Sequence, residues 1–268
     1  MPVSPGSSLP LYDRIGRTYD YGRRADARIT GPLAEHLGPP EAGAVIDVGC
    51  GTGNYTAALA ARGYRITGLD ISPHMLGKAR AKSPETSFVR GSAMCLPFGD
   101  GAFPRAMCTL AAHHFPGKTA AFREVRRVLN TGPFVLFTAF AGQMERYWLK
   151  RYFPQTMARA LRQMGSEAEW RAALAAAGFG EVESFAWEVP EDLADLFWYS
   201  GKHRPELYFD PAVRAGISAF ANLADEAEVA AGLARLRADL DSGAFAEVLA
   251  EARHEGGDYA FVVARPAV

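Results

Sequence analysis

Two acids around a glycine-rich turn, and a pair of adjacent histidines, are the residues whose types and spacing could do chemistry. Asp47 stands two residues before Gly49, which opens a Gly-x-Gly-x-Gly run through Gly51 and Gly53, and Asp70 lies 17 residues beyond Gly53. Glycines at such a turn let the backbone come close to a ligand, and a turn that feeds a helix offers it N–H groups. An acid this near the turn disfavours a phosphate and suits a ligand with a cationic amino-acid end. A dinucleotide-binding turn would read Gly-x-Gly-x-x-Gly and seat a pyrophosphate on those amides. Asp70 ends an apolar run, where a carboxylate can accept both hydroxyls of a ribose. His113 and His114 are imidazoles, which titrate near neutrality and can take a proton from an attacking group.

These residues need elements to hold them. Ala44–Val48 is an apolar run broken only by Asp47, the pattern of a buried parallel strand. The alanine-rich stretch Thr56–Arg62 after the glycines reads as a helix. Tyr64–Asp70 is a second strand, and Ser72-Pro73 starts a helix with serine as N-cap and proline as first helical residue. Thr86–Val89 is a short third strand. Pro104–Leu110 is a fourth, with proline tolerable only at its first residue, and it delivers His113-His114 on its C-terminal loop. Helix Lys118–Leu129 leads into a fifth strand, Phe134–Ala139. Alternation of strand and helix predicts a parallel sheet with crossovers.

The stretch 44–56, Ala-Val-Ile-Asp-Val-Gly-Cys-Gly-Thr-Gly-Asn-Tyr-Thr, closely resembles the first motif of class I S-adenosylmethionine-dependent methyltransferases. Within them the chain is similar to the type 11 small-molecule enzymes. The Tyr12-Asp13 to Tyr19-Asp20 pattern also matches sequences that begin many of these proteins. The resemblance implies an α/β fold, a doubly wound seven-stranded Rossmann-like methyltransferase sheet, with S-adenosylmethionine as cofactor. It implies that Asp47, Gly49, Gly51, Gly53, Asp70 and Leu110 surround the cofactor, that Ile71 and Met75 sandwich its adenine, and that Tyr19 and Arg24 reach its methionine carboxylate. Residues 91–98 match a Gly-Asp-Ala-x-x-Leu-Pro-Phe pattern with Ser92 in place of the aspartate. Ser92, Ala93 and Met94 would then address the adenine edge with one charge-assisted hydrogen bond fewer. Pro104 and Ala139 also stand where the family has acids. His113 and His114 lie where related O-methyltransferases place a base.

Two segments leave the core plan. Residues 141–165 are aromatic-rich and basic, and read as a helical insertion. Ser166 N-caps a helix through Ala177, and Val182–Val189 is a sixth strand. After it, 190–256 is mostly helical, with Asp210-Pro211 and Asp225 as helix starts, and Leu233, Leu236 and Leu240 as an amphipathic repeat. This reads as an inserted cap over the pocket, before a last strand, Tyr259–Ala264. The expected division is 1–40 lid helices, 41–140 cofactor-binding core, 141–165 insertion, 166–189 core continuation, 190–256 cap and 257–268 last strand. Flat rings and basic side chains in or beside the cap suit an aromatic or anionic acceptor; Tyr12, Trp148, Trp198, Tyr199 and His203 are its candidate contacts. Trp170 and Trp187 read as core, and His36, His74 and His254 as surface.

Formal net charge is −1 across 268 residues, so no broad basic footprint points to nucleic acid. No apolar run suggests a signal peptide or a membrane span. Cys50, Cys95 and Cys108 are scattered without metal-ligand spacing and suit a reducing cytoplasm, so no metal is expected. The leading expectation is methyl transfer to a small organic acceptor, at oxygen or nitrogen rather than carbon. The alternatives are a non-catalytic relic that holds the nucleoside and a nicotinamide-dependent oxidoreductase; transfer to RNA or protein is a minor one. Oligomeric state is left open by the sequence.

Overall fold

The computed structural model describes residues 21–267. Residues 1–20 of the expected lid, with Tyr12 and Tyr19, lie outside the described residues. Asp26 caps the first helix, α1 (Ala27–Leu37), by accepting from the Arg28 amide at 2.8 Å. Pro32 inside α1 has no N–H to give to the Arg28 carbonyl. The Trp187 indole donates to that oxygen instead, at 3.1 Å.

The sheet follows from β1 (Val45–Val48), β2 (Ile66–Asp70), β3 (Ser87–Arg90), β4 (Arg105–Thr109), β5 (Phe134–Thr138), β6 (Phe179–Trp187) and β7 (Tyr259–Pro266). Their spatial order is β3-β2-β1-β4-β5-β7-β6, with β7 antiparallel to both neighbours and the first five strands parallel. α2 (Asn54–Ala60), α3 (Pro73–Lys82), α4 (Lys118–Val128) and α8 (Glu167–Ala176) complete the wound layers. The strict alternation expected between strands fails once. Residues 91–104 cross from β3 to β4 as turns without a helix, in keeping with the proline and two glycines of Pro97-Phe98-Gly99-Asp100-Gly101. β6 begins at Phe179 rather than Val182, because Phe179 already pairs with Pro266 across a bulge.

Side chains alternate across the sheet, as the period of two requires. Val45, Met107, Val135 and Phe137 face one apolar cluster; Ile46, Val48, Ala106, Cys108 and Leu136 face another beneath α4 and α8. Burial of Arg105, 2% exposed, at the start of β4 is balanced by carbonyl oxygens. Its guanidinium donates to Leu37, Gly38, Pro39 and Pro40 at 2.7–3.2 Å and to Gly43, fastening the end of α1 to the sheet.

The insertion after β5 forms α5 (Ala141–Met144), α6 (Leu149–Tyr152) and α7 (Pro154–Met164). The long excursion before β7 carries α9 (Pro211–Ala215), α10 (Ser218–Leu223), α11 (Glu226–Ser242) and α12 (Phe245–Glu251). The two pieces make one helical body. Glu228 of α11 caps α7, accepting from the Gln155 amide and the Thr156 hydroxyl at 2.6 Å, and the Tyr152 hydroxyl donates to Asp239 at 2.7 Å.

Candidate active site

The turn between β1 and α2 is held in left-handed conformations. Gly49 has φ of 80°, and a Cβ there would stand 2.7 Å from that of Ala111, so the turn can lie flat against the loop after β4 only as glycine. Gly53 likewise faces Ala79 and Phe88 at about 3 Å and is turned away from the ligand side. Asp70, at the tip of β2, accepts from the Gly51 amide and from the Ser72 amide, each at 2.9 Å. One bond locks the carboxylate against the glycine turn, the other against the start of α3.

Asp47 is the second acid of this site. One oxygen accepts from the Thr56 hydroxyl at 2.6 Å, while Oδ1 is buried with no hydrogen-bond partner among the described residues. Burial, with Asp70 adding to it, pushes its carboxyl up to about 7. An orphaned carboxylate oxygen of this kind costs free energy until a donor or cation meets it.

Asp47 and Asp70 line one elongated cavity of about 370 Å³, within the range of small-molecule sites. Gly49, Gly51, Ile71, Ser92, Ala93, Met94, Leu110 and His114 also line it. Gly53 and Met75 do not. Met75 is 1% exposed on the buried face of α3, so of that pair only Ile71 remains at the rim for a flat ring. The Ser92 hydroxyl accepts from the Met94 amide at 3.1 Å, which holds this loop as a turn. Arg24 points to solvent; its neighbour Arg23 lines the cavity instead. The cause is Asp195, fully buried, which takes Arg23 Nε at 2.5 Å and the Tyr55 hydroxyl at 2.9 Å.

A second cavity of about 60 Å³ adjoins the first and shares Arg23, Leu110 and Gln163 with it. Its walls come from β5, the insertion, the cap and β7, among them His113, Ala139, Trp198 and Tyr259. Leu110 at the junction has φ of 52°, unusual for a branched side chain, and strain of this kind clusters at functional sites. The two histidines part company here. His114 faces the larger cavity, its Nδ1 3.1 Å from the Gln163 amide nitrogen, and burial followed by the nearby Arg23 charge lowers it to about 4. His113 faces the smaller one and is held well below 6.5 by burial first, then by His114 and Lys118. Both imidazoles are therefore uncharged at neutral pH.

Of the expected acceptor contacts, Trp198 alone among the described ones lines the second cavity. Trp148 is 2% exposed and Tyr199 fully buried, the latter stacked on Tyr147 at 3.8 Å; they build the interior of the helical body. Trp148 Nε1 donates to the Lys202 carbonyl and His203 Nε2 lies 3.2 Å from the Val189 carbonyl, away from either cavity. The basic residues of the cap are consumed structurally as well, Lys202 by Asp258 at 2.8 Å and Arg204 by the Leu193 carbonyl at 2.6 Å. His254, expected at the surface, has a side chain only 8% exposed, 3.5 Å from Asp258. Gln163, Asp195 and Thr109 escaped sequence reasoning. Nothing local marks Gln163 or Thr109, whereas Asp195 is visible as a single acid in the apolar run Leu193–Tyr199.

Among the described residues no group of acids, histidines and cysteines could hold a metal, and no helix is long and apolar enough to cross a membrane. Residues 46–137 match a family model described as a methyltransferase domain. A stretch of 136 residues, 51% of this chain and 52% of the relative, is 35% identical to malonyl-[acyl-carrier protein] O-methyltransferase of Erwinia pyrifoliae. Another of 192 residues, 66% of this chain and 60% of the relative, is 28% identical to 2-methyl-6-phytyl-1,4-hydroquinone methyltransferase of Synechocystis. The chain thus spans about half the length of the curated relatives it matches. A solved structure from Anabaena variabilis, described as a methyltransferase from an antibiotic biosynthesis pathway, is 33% identical, with a TM-score of 0.81. That similarity covers 91% of this chain and 98% of the other. A Haemonchus contortus phosphoethanolamine N-methyltransferase, solved with S-adenosylmethionine, shares the fold at a TM-score of 0.63 and 14% identity. With the glycine turn, the acid at the tip of β2 and this full-length likeness, the chain belongs to the class I S-adenosylmethionine-dependent methyltransferases.

Proposed function

We propose that the protein moves the methyl group of S-adenosylmethionine to an oxygen or nitrogen of a small organic acceptor. The observation that carries this reading is the buried, partnerless Oδ1 of Asp47 beside the larger cavity. The residues fit the cofactor: its ammonium supplies the cation that Asp47 lacks, and the Asp70 carboxylate, which lines the same cavity, is an acceptor for its ribose hydroxyls. Ile71, Ala93 and Met94 border the space left for adenine. A nicotinamide dinucleotide fits less well, because its pyrophosphate would face both acids.

Bound there, S-adenosylmethionine supplies a methyl carbon on a positively charged sulfur. The chain's task is then to orient the acceptor in line and to exclude water. Leu110 and Gln163 sit between the two chambers and set the approach. His113, uncharged and beside the acceptor chamber, receives a proton from the acceptor as it is methylated. His114 is a positioning residue, held by Gln163.

Calorimetry with S-adenosylmethionine and S-adenosylhomocysteine tests the reading. Wild type should bind both. Asp70→Ala should bind roughly tenfold to a hundredfold more weakly, the loss of about 1.5–3 kcal/mol expected for hydrogen bonds to a charged group. No binding by wild type, or tight binding of NADH in its place, ends the proposal; binding without turnover on an acceptor panel would mark a relic.

A further inference from the structure

The smaller cavity has a composition that selects among acceptors, and this step rests on the methyltransferase reading above. Two of its lining residues leave a buried ring nitrogen with no partner among the described residues: Trp198 Nε1 and His113 Nδ1. Indole N–H can only donate, whereas a neutral imidazole nitrogen can accept or donate. Gln163 and Ser218 add two neutral polar side chains, and apart from Arg23 the rest of the wall is apolar or aromatic, with Met144, Met164, Phe197, Ile217 and Tyr259. No carboxylate lines the cavity, and its one charged lining residue, Arg23, is ion-paired with Asp195.

From this juxtaposition we infer that the acceptor is an uncharged, compact, ring-bearing hydroxyl compound of the phenol class, whose oxygen is read by Trp198 Nε1 and His113 Nδ1. An ammonium acceptor would enter beside Arg23 with no acid to neutralise it. A carboxylate or phosphate would meet a guanidinium already joined to Asp195, and burying an unpaired charge is expensive. A neutral hydroxyl satisfies both orphaned nitrogens at once: its oxygen accepts from the indole, and its hydrogen goes to the imidazole. A site built on buried hydrogen-bonding groups discriminates strongly against ligands that leave them unpaired. The volume of about 60 Å³ excludes a fused ring system, and even a single ring must extend toward the larger cavity that this one adjoins. This differs from the anionic acceptor that the cap's basic residues suggest in the sequence, since Lys202, His203 and Arg204 are bound elsewhere.

The test uses the full chain loaded with S-adenosylhomocysteine and three probes that share a p-tolyl ring, p-cresol, p-toluate and 4-methylbenzylamine. Calorimetry should show p-cresol binding at least tenfold more tightly than either charged probe. Trp198→Phe keeps a ring against Phe220 and removes only the N–H, so it should weaken p-cresol about tenfold and leave S-adenosylhomocysteine within twofold. His113→Asn, whose side-chain oxygen can stand near the place of Nδ1, should retain p-cresol binding, while His113→Leu should lose it. Equal or tighter binding of a charged probe overturns the inference, as does absence of p-cresol binding, or indifference to Trp198→Phe, in a protein that binds S-adenosylhomocysteine. Failure to bind S-adenosylhomocysteine at all overturns the methyltransferase reading itself, and this inference with it.

Discussion

If Asp47 receives the ammonium of the cofactor, binding must be linked to a proton. In the ligand-free protein its carboxyl is raised by burial to about 7, so below that pH it is neutral. An ammonium pairs with the ionised form, and binding at pH 6 must therefore expel a proton. With a group at about 7, roughly nine-tenths is protonated at pH 6, so close to ~0.9 proton should leave per ligand bound. The affinity for S-adenosylhomocysteine should be level from about pH 7 up to the pH at which the ligand's own ammonium deprotonates, and fall by up to about tenfold for each pH unit below 7. Neither histidine obscures this window, since His114 is held at about 4 and His113 well below 6.5. Calorimetry at pH 6 in buffers of different ionisation enthalpy measures the proton directly, as the slope of observed enthalpy against buffer enthalpy. Asp47→Asn should abolish that slope and weaken binding at pH 8 by roughly tenfold to a hundredfold. The same group acts on stability with a definite sign. The folded chain holds a proton that the unfolded chain, at the ordinary 3.8, has released. Its contribution therefore falls as pH rises from about 4 to about 7 and is constant beyond. A wild-type binding enthalpy indifferent to buffer at pH 6 would refute the assignment of Asp47 to the ammonium.

Three substitutions probe the scaffold that aims these groups. Gly49→Ala combines a φ of 80° with a Cβ 2.7 Å from that of Ala111, and should cost about 3 kcal/mol by thermal melting. Gly51→Ala, whose Cβ meets open space, should cost only the strain, roughly 1–2 kcal/mol; equal losses would contradict the packing argument. Arg105→Met should lower stability in urea by at least ~3 kcal/mol, because several buried carbonyls at the end of α1 lose their donor together. A neutral outcome would show that these oxygens are satisfied without Arg105.

What the sequence disclosed was local. Ser72, Ser166, Asp210 and Asp225 each announce a helix, and each side chain accepts from an amide two or three residues ahead, at 2.7–3.2 Å. The apolar run with one acid, the spaced glycines and the acid ending the next run all depend on neighbours within a few dozen residues. What it concealed was the direction of side chains whose partners are distant in the chain. Arg23 and Arg24 are equivalent by type and place; the first is turned inward onto Asp195, 172 residues away. The rings of Trp148 and Tyr199 look like acceptor contacts because aromatic residues serve cores and ligands alike, and the folded cap needs them for its own interior. Asp47 was legible as an acid near the ligand, but its protonation follows from enclosure by α2 and the sheet, which no spacing encodes.

The distant partners also decide how the two chambers work together. Asp195 belongs to the cap region, Arg23 to the segment before α1, and Tyr55 to the helix behind the glycine turn. One buried carboxylate holds all three, at 2.5 Å from Arg23 and 2.9 Å from the Tyr55 hydroxyl. Removing either donor leaves part of a fully buried charge unmatched, the costly way to break such a pair. The wall that shapes the acceptor chamber is therefore anchored to the helix that shapes the cofactor turn. A displacement of the cap must loosen Arg23, and Arg23 lines both cavities. One buried carboxylate thus ties the cap region to a side chain that lines both cavities and to the helix that follows the glycine turn.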